Sequence, residues 1–431
     1  MRLNYHLKPI LAALVICLIL SACAQPATAP TDATPEALTG EVISLLDVTQ
    51  NQVASIRGLE APTDLPRTFL STDEIRQKVV NEFFADYTPE EAAKDARSLW
   101  LLGLLPEDFE LLDFYHELYA EQIGGYYDDE TKSMYVVQSG VFSILERTTY
   151  AHEFTHALQD HNFLFKDKLR FSDDDCEEDS ERCAALQALI EGDASYTETL
   201  WFSQHASDKD FTDLQSAFLT MDLPVYNSAP AYMRDDLTFP YLYGQQFVTQ
   251  LFAQGGYAAI DKAFTTLQPV STEQILHPSR YPDDIPVSVE LPALAEQLGK
   301  EWKVVETDSI GEWMTWLFLT RGHETTTRLN DLVASAAAEG WGGDRFVILK
   351  QESTGEFAIA LHYIWDTPED EREAFKAFSG WLSLRFGQPE SSGVYVSDGI
   401  AATLQASKTA GFNLVFAESK STATSLIDLM P

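Results

Sequence analysis

Apolar positions in "STDEIRQKVVNEFF" recur with a period near 3.6, and Ser71 followed three residues later by Glu74 opens the run with a capping box. "TPEEAAKDARSLWLLGLL" places Thr88 as N-cap and Pro89 at the first helical position. "DFELLDFYHELYAEQIGG" keeps the helical spacing and stops at Gly124-Gly125, so residues 41–123 read as mostly helical. The period then drops to two. "GYYDDETKSMYVV" holds two short β-type runs around the turn-forming "DDETKS", which predicts a hairpin. Helical spacing returns in "TTYAHEFTHALQDHN" and, after an acidic loop, in "AALQALIEGDASYTETLWF". A long polar connection leads to "FPYLYGQQFVTQLFAQGG", a helix closed by Gly255-Gly256. "YAAIDKAFTTL" is a further short helix, and "STEQILHPSRYP" is a proline-punctuated loop.

The last third has its own pattern. "EWMTWLFLTRG" is helical, "RFVILK" and "FAIALHYIWD" are paired strands, and Thr367-Pro368 caps the helix "TPEDEREAFKAFSGWLSLRFG". "GVYVSDG" and "GFNLVFAES" are two further strands. The expected class is α+β, with a largely helical domain over 41–304 that includes the hairpin, and a small α+β domain of unknown role over 305–431.

The N-terminus adds location. Arg2 and Lys8 precede "PILAALVICLIL", an apolar run too short to span a bilayer as an ordinary helix, and "LSAC" follows. Leu20 to Cys23 resembles the bacterial lipobox, which implies a signal peptide over 1–22 and a lipid on Cys23. The Pro/Ala/Thr-rich stretch over 23–40 suits a flexible tether. The expected location is therefore the extracytoplasmic face of a membrane. Cys17 lies inside the signal, which leaves Cys176 and Cys183 in "CEEDSERC" as a disulfide closing a small surface loop. The formal charge of −38 excludes a nucleic-acid partner, since phosphate binding needs a basic surface. The sequence leaves oligomeric state open.

The chemistry lies in "HEFTH". His152 and His156 are four apart, so on a helix they point about 40° from one another and can share one Zn²⁺. Glu153 sits beside them, within reach of a metal-bound water. A catalytic zinc keeps three protein ligands and one open position. "ALIEGDA" supplies Glu191 on the next apolar helix, followed by a glycine that lets two helices approach. Asp193 lies about 200° around that helix from Glu191, so both cannot face one metal. Tyr241, Tyr243 and His277 are candidates for the donor that stabilises a developing oxyanion, with Tyr243 and His277 carried forward as catalytic.

HEFTH followed by a helix carrying E-G-D-A resembles the gluzincin metallopeptidases, the thermolysin-like branch of the zincins. Together with "STEQILHP" it also resembles uncharacterised bacterial lipoproteins. The resemblance covers roughly 120–280. It implies a zincin-like fold, one zinc held by His152, His156 and Glu191, Glu153 as general base, and a peptide or polypeptide substrate. E-G-D-A replaces the thermolysin pattern N-E-x-x-S-D, so Asp193 and Asp160 become the candidates for orienting a histidine. In zincins an edge strand before the active helix pairs with extended substrate, a place held here by the strand with Gly125 and Tyr126. The competing functions are a zinc amidase acting on cell-wall peptides and a catalytically silent binding or scaffold lipoprotein.

Overall fold

The computed structural model describes residues 12–14, 40–137 and 142–431. Cys23, the expected signal cleavage site and the expected tether up to residue 39 lie outside the described residues, and residue 40 already belongs to a helix. The fold is α+β with two sheets. The first sheet has four strands in the order β1-β3-β4-β2: β1 (Ala12–Leu14), β2 (Arg67–Leu70), β3 (Ile123–Asp128) and β4 (Ser133–Val137). β3 and β4 form the expected hairpin, with Gly125 opposite Val136 and Asp128 opposite Ser133. β2 runs parallel to β4, and β1 pairs antiparallel with β3. β2 falls within the stretch that reads as helical. With only four residues, "RTFL" is too short for its alternation to stand out.

Around this sheet lie α1 (Gly40–Arg57), α2 (Thr72–Phe83), α3 (Pro89–Leu101), α4 (Leu111–Gln122) and α5 (Ile144–Phe163). The capping boxes at Ser71 and Thr88 form as their spacing predicts. Then follow α6 (Asp173–Glu178), α7 (Ser180–His205), α8 (Asp208–Thr220), α9 (Pro224–Ser228) and α10 (Ala231–Gly255). The polar connection before α10 is thus helical. α8 carries a Ser207–Asp210 capping box and an apolar stripe of Phe211, Leu214 and Phe218, signals that the reading of this stretch as a polar connection passes over. α10 begins eight residues before "FPYLYG" and runs through Pro240. Its packing overrides the local cost of an interior proline.

α7 and α10 cross where neither helix has a side chain. A Cβ on Gly192 would sit 2.2 Å from the Gly244 carbonyl carbon, and one on Gly244 would sit 2.0 Å from the Ala188 oxygen. That contact sets the spacing between the helix bearing Glu191 and the helix bearing Tyr241. The Cys176–Cys183 disulfide is present, with S–S 2.11 Å, and joins α6 to the first turn of α7. Both sulfurs are fully buried, so the bond lies in the core and not in a surface loop.

Beyond α10 come α11 (Tyr257–Thr265), α12 (Thr272–Leu276), α13 (Leu294–Leu298), α14 (Gly311–Thr320), α15 (Asp331–Ala338), α16 (Pro368–Phe386) and α17 (Lys420–Leu429). They accompany an antiparallel six-stranded sheet, ordered β5-β6-β7-β10-β9-β8. Its strands are β5 (Trp302–Asp308), β6 (Trp341–Gln351), β7 (Phe357–Trp365), β8 (Tyr395–Ser397), β9 (Ile400–Ala406) and β10 (Phe412–Ala417). β5 and β9 escape the sequence reading, because "WKVVETD" and "IAATLQA" mix strand formers with alanines and charges. One buried apolar cluster takes residues from α2, α7, α14, α16 and this sheet. Among the described residues no helix is long and apolar enough to cross a membrane.

Candidate metal centre

α5 is a buried helix with polar side chains inside. Its N-terminus is fixed by the Ser143–Glu146 capping box, and every residue from Thr148 to Asp160 is buried. Ala151, Phe154 and Leu158 join an apolar cluster with α1 and β4. His152, Glu153, His156, Gln159 and Asp160 are buried too, and burial of polar groups is tolerated only where each finds a partner.

Those partners define the site. His152 and His156 stand edge to face with ring centroids 4.7 Å apart. His152 Nε2 is 3.0 Å and His156 Nε2 3.4 Å from the same oxygen, Oε2 of Glu191. Three donor atoms of these residues lie within 4.8 Å of one another. Ligand atoms about 2.0 Å from a tetrahedral zinc lie about 3.3 Å apart, so the spacing fits that ion. Two atoms sharpen the fit: His156 Nε2 and Glu191 Oε1 are buried with no hydrogen-bond partner. Buried nitrogen and oxygen atoms that accept or donate no hydrogen bond, beside converging donors, suit a bound cation.

The same geometry also makes an ion pair in the absence of metal. Burial alone would lower the His152 pKa, but hydrogen bonds to Glu191 and Glu198 raise it to about 10. Burial would raise Glu191, and the two histidines bring it down to about 2. An imidazolium–carboxylate pair satisfies His152, whereas His156 Nε2 has only the 3.4 Å contact to Glu191 Oε2 and Glu191 Oε1 accepts no hydrogen bond.

The residues that orient the histidines are not those expected from sequence. His152 Nδ1 meets Glu198 Oε2 at 3.0 Å, and His156 Nδ1 meets Gln159 Oε1 at 2.9 Å. Asp193 touches neither histidine. It accepts a hydrogen bond from Gln159 Nε2 at 2.9 Å and one from Arg57 Nε at 2.8 Å, and so acts on His156 only through Gln159. Arg57, fully buried at the end of α1, also bonds Asp261. Asp160 turns to the hairpin, accepting from Tyr127 Oη at 2.7 Å and from Lys132. It ties β3 and β4 to α5 and orients no histidine. Glu198 is legible in retrospect. It follows Glu191 by seven residues, two helical turns, so α7 presents both to α5.

Glu153 is 1% exposed, and its Oε2 accepts the Tyr127 N–H at 2.7 Å. β3 thus holds this carboxylate beside His152. Gly125 and Tyr126 lie on the same strand, but β3 is paired with β4 on one side and β1 on the other, so it is not the edge strand expected from the sequence. Of the oxyanion candidates, Tyr241 stands with its ring 6.0 Å from that of His152. Tyr243, two residues on and about 200° around the helix, packs against Phe239 and Trp313 instead. His277 Nε2 is bonded to Glu312 at 2.8 Å, which raises the imidazole pKa. Neither Tyr243 nor His277 belongs to the group that converges with His152. Beside the centre a pocket of about 350 Å³ has walls that include Thr148, Glu198, Tyr241, Phe202, Leu214 and Phe218.

Exchanging Glu198 for Gln should lower zinc affinity about 10–100-fold, the usual cost of losing a carboxylate behind a ligating histidine. Competition with a zinc-sensitive dye measures it. Unchanged affinity would mean that Glu198 does not orient His152.

Residues 298–425 match a family described as a domain of unknown function, DUF8575. That span covers the six-stranded sheet and begins after every residue of the metal centre. No curated protein and no solved structure matches the chain.

Proposed function

We propose that the chain is a membrane-anchored, extracytoplasmic zinc metallopeptidase with a zincin-like arrangement of β3, α5 and α7. The observation that carries this reading is the convergence of His152 Nε2 and His156 Nε2 on Glu191 Oε2, at 3.0 and 3.4 Å, with His156 Nε2 and Glu191 Oε1 buried and without a hydrogen-bond partner. The donor set, two imidazoles and one carboxylate, leaves a fourth position for water or substrate. Bound zinc supplies Lewis acidity, polarising a scissile carbonyl and acidifying water. The chain's own residues do the rest. Glu153 takes the proton of the attacking water and hands it to the leaving amine. The Tyr127 N–H keeps that carboxylate in place between the two transfers. Removal of the signal peptide over 1–22, which contains β1, would free one edge of β3 for an extended polypeptide, a mode that demands little of its sequence. To Tyr241, whose ring lies 6.0 Å from that of His152, falls the role of assisting the oxyanion. The lipid on Cys23 holds the enzyme at the membrane.

Digestion of quenched peptides and casein, with and without chelator, tests the reading. Cleavage that chelator stops and zinc restores is the expected result. Cleavage of cell-wall peptide amides alone would favour the amidase, and no cleavage of any amide by zinc-loaded protein would favour the silent scaffold.

A further inference from the structure

The face of β3 turned away from α5 carries a second pocket. Tyr127 points toward α5, where its hydroxyl bonds Asp160, so Tyr126 points the opposite way, onto Phe83 of α2 at 5.3 Å. There a pocket of about 330 Å³ lies between α2 and the turn joining β3 to β4. That volume is at the small end of ligand sites, roughly 300–1,000 Å³. Four carboxylates line it, those of Glu82, Asp128, Asp129 and Glu130, against the single ammonium of Lys78.

The charges inside are incompletely matched. Lys78 is paired with Glu82. Asp128 accepts the N–H groups of Glu130 and Thr131, which closes the turn. Lys166 reaches in from outside, 3.3 Å from Glu130 and in a longer ion pair, 3.6 Å, with Asp129. Asp129 is mostly buried, and burial raises its pKa against the opposing pull of Lys166 and Lys132. Tyr126 is 1% exposed, and its hydroxyl, among these acids, has no hydrogen-bond partner. A buried phenol left unpaired keeps its full desolvation cost unless something outside the chain satisfies it.

The spacing of the acids says which kind of cation fits. Among the described residues two groups converge tightly enough for a metal ion, His152-His156-Glu191 and Glu273-Asp284-Asp366. The pocket's carboxylates are in neither. In the second group the fold itself fills the centre with a guanidinium: Arg280 Nη1 lies 2.8 Å from Glu273, 3.1 Å from Asp284 and 2.7 Å from Asp366. More widely spaced acids beside an unpaired hydroxyl call for a cation of the same type, with several N–H donors spread over its width.

We propose that this pocket binds an organic cation, the guanidinium or ammonium of a basic side chain or of a small free amine. Asp129 carries the charge contact and Tyr126 Oη accepts one N–H. The assignment is independent of the peptidase reading, because it uses no residue of the metal centre.

Calorimetric titration of the purified full chain tests it, with Nα-acetylarginine amide, Nα-acetyllysine amide and the neutral Nα-acetylnorleucine amide. The two cations should saturate one site, more weakly as salt is raised, and the neutral amide should not bind. Asp129→Asn should weaken binding about tenfold or more, the loss of one charge-assisted hydrogen bond. Tyr126→Phe, which keeps the ring packed on Phe83, should weaken it less. An arginine-containing hexapeptide and spermidine separate the two sources. Tighter binding of the peptide assigns the pocket to polypeptide side chains, and tighter binding of spermidine assigns it to free amines. Equal binding of the neutral amide, undiminished binding by Asp129→Asn with native thermal unfolding, or stoichiometric displacement by calcium would each overturn the proposal.

Discussion

Glu153→Gln is expected to lose peptide hydrolysis by about 10²–10⁴-fold and to keep its zinc. The reason is local. Glu153 is not one of the three converging ligands, so its exchange leaves the donor set intact. Its Oε2 accepts the Tyr127 N–H at 2.7 Å, and a glutamine carbonyl oxygen can accept the same bond. Shape and anchoring survive, whereas the capacity to take a proton from water does not. Steady-state cleavage of a quenched peptide, with zinc measured on the same sample, separates the two effects. A variant that turns over at the wild-type rate would remove Glu153 from the role of base. A variant that also loses zinc would mean that the side chain holds the site together and leaves its proton role unproved.

Glu191→Ala is expected to remove most of the bound zinc, far more than Asp193→Ala does. The two acids are neighbours in sequence but belong to different networks. Glu191 Oε2 faces both histidines, and its Oε1 is the orphan that the ion would satisfy. Two imidazoles alone leave a catalytic zinc one protein ligand short. Asp193 instead neutralises Arg57, which is completely buried. Its loss leaves a buried guanidinium with only Asp261, and breaking such a pair costs about 3–5 kcal/mol. Asp193→Ala should therefore appear as a lowered unfolding temperature, with a smaller loss of zinc transmitted through Gln159 and His156. Metal analysis and thermal unfolding of both variants distinguish the cases. Full zinc in Glu191→Ala would break the assignment of the third ligand.

How far the sequence was legible differs from element to element. The helices opened by Ser71, Thr88 and Thr367 could be read because a cap fixes the start and a 3.6-residue period follows it. The hairpin was legible for the same reason, a change of period around a turn. α8 was legible in its Ser207 cap and in the spacing of Phe211, Leu214 and Phe218, but its polar composition reads as a connection. β9 was not, because its alanines owe their place to neighbours on both sides in the sheet.

In the site, His152 and His156 could be paired from spacing alone, because a helix fixes which residues share a face, whereas Glu191, on another helix, came from the need for a third ligand and from the family resemblance. Their supports could not. Whether Asp160 faces a histidine or the hairpin depends on Tyr127 and Lys132, which tertiary packing brings to it. The choice between Tyr241 and Tyr243 turns on which side of α10 meets α7, and the Gly192–Gly244 crossing decides that. Arg57 lies 136 residues from Asp193, and no local pattern links them.

Zinc uptake by the wild-type chain tests the central claim most directly. The protein should be purified, stripped with chelator, titrated with zinc and analysed for metal after dialysis. The account predicts one tightly held zinc per chain, abolished by His156→Ala and accompanied by the return of peptide cleavage. A folded wild-type chain that retains no zinc, or binds it equally well without His156, would contradict it.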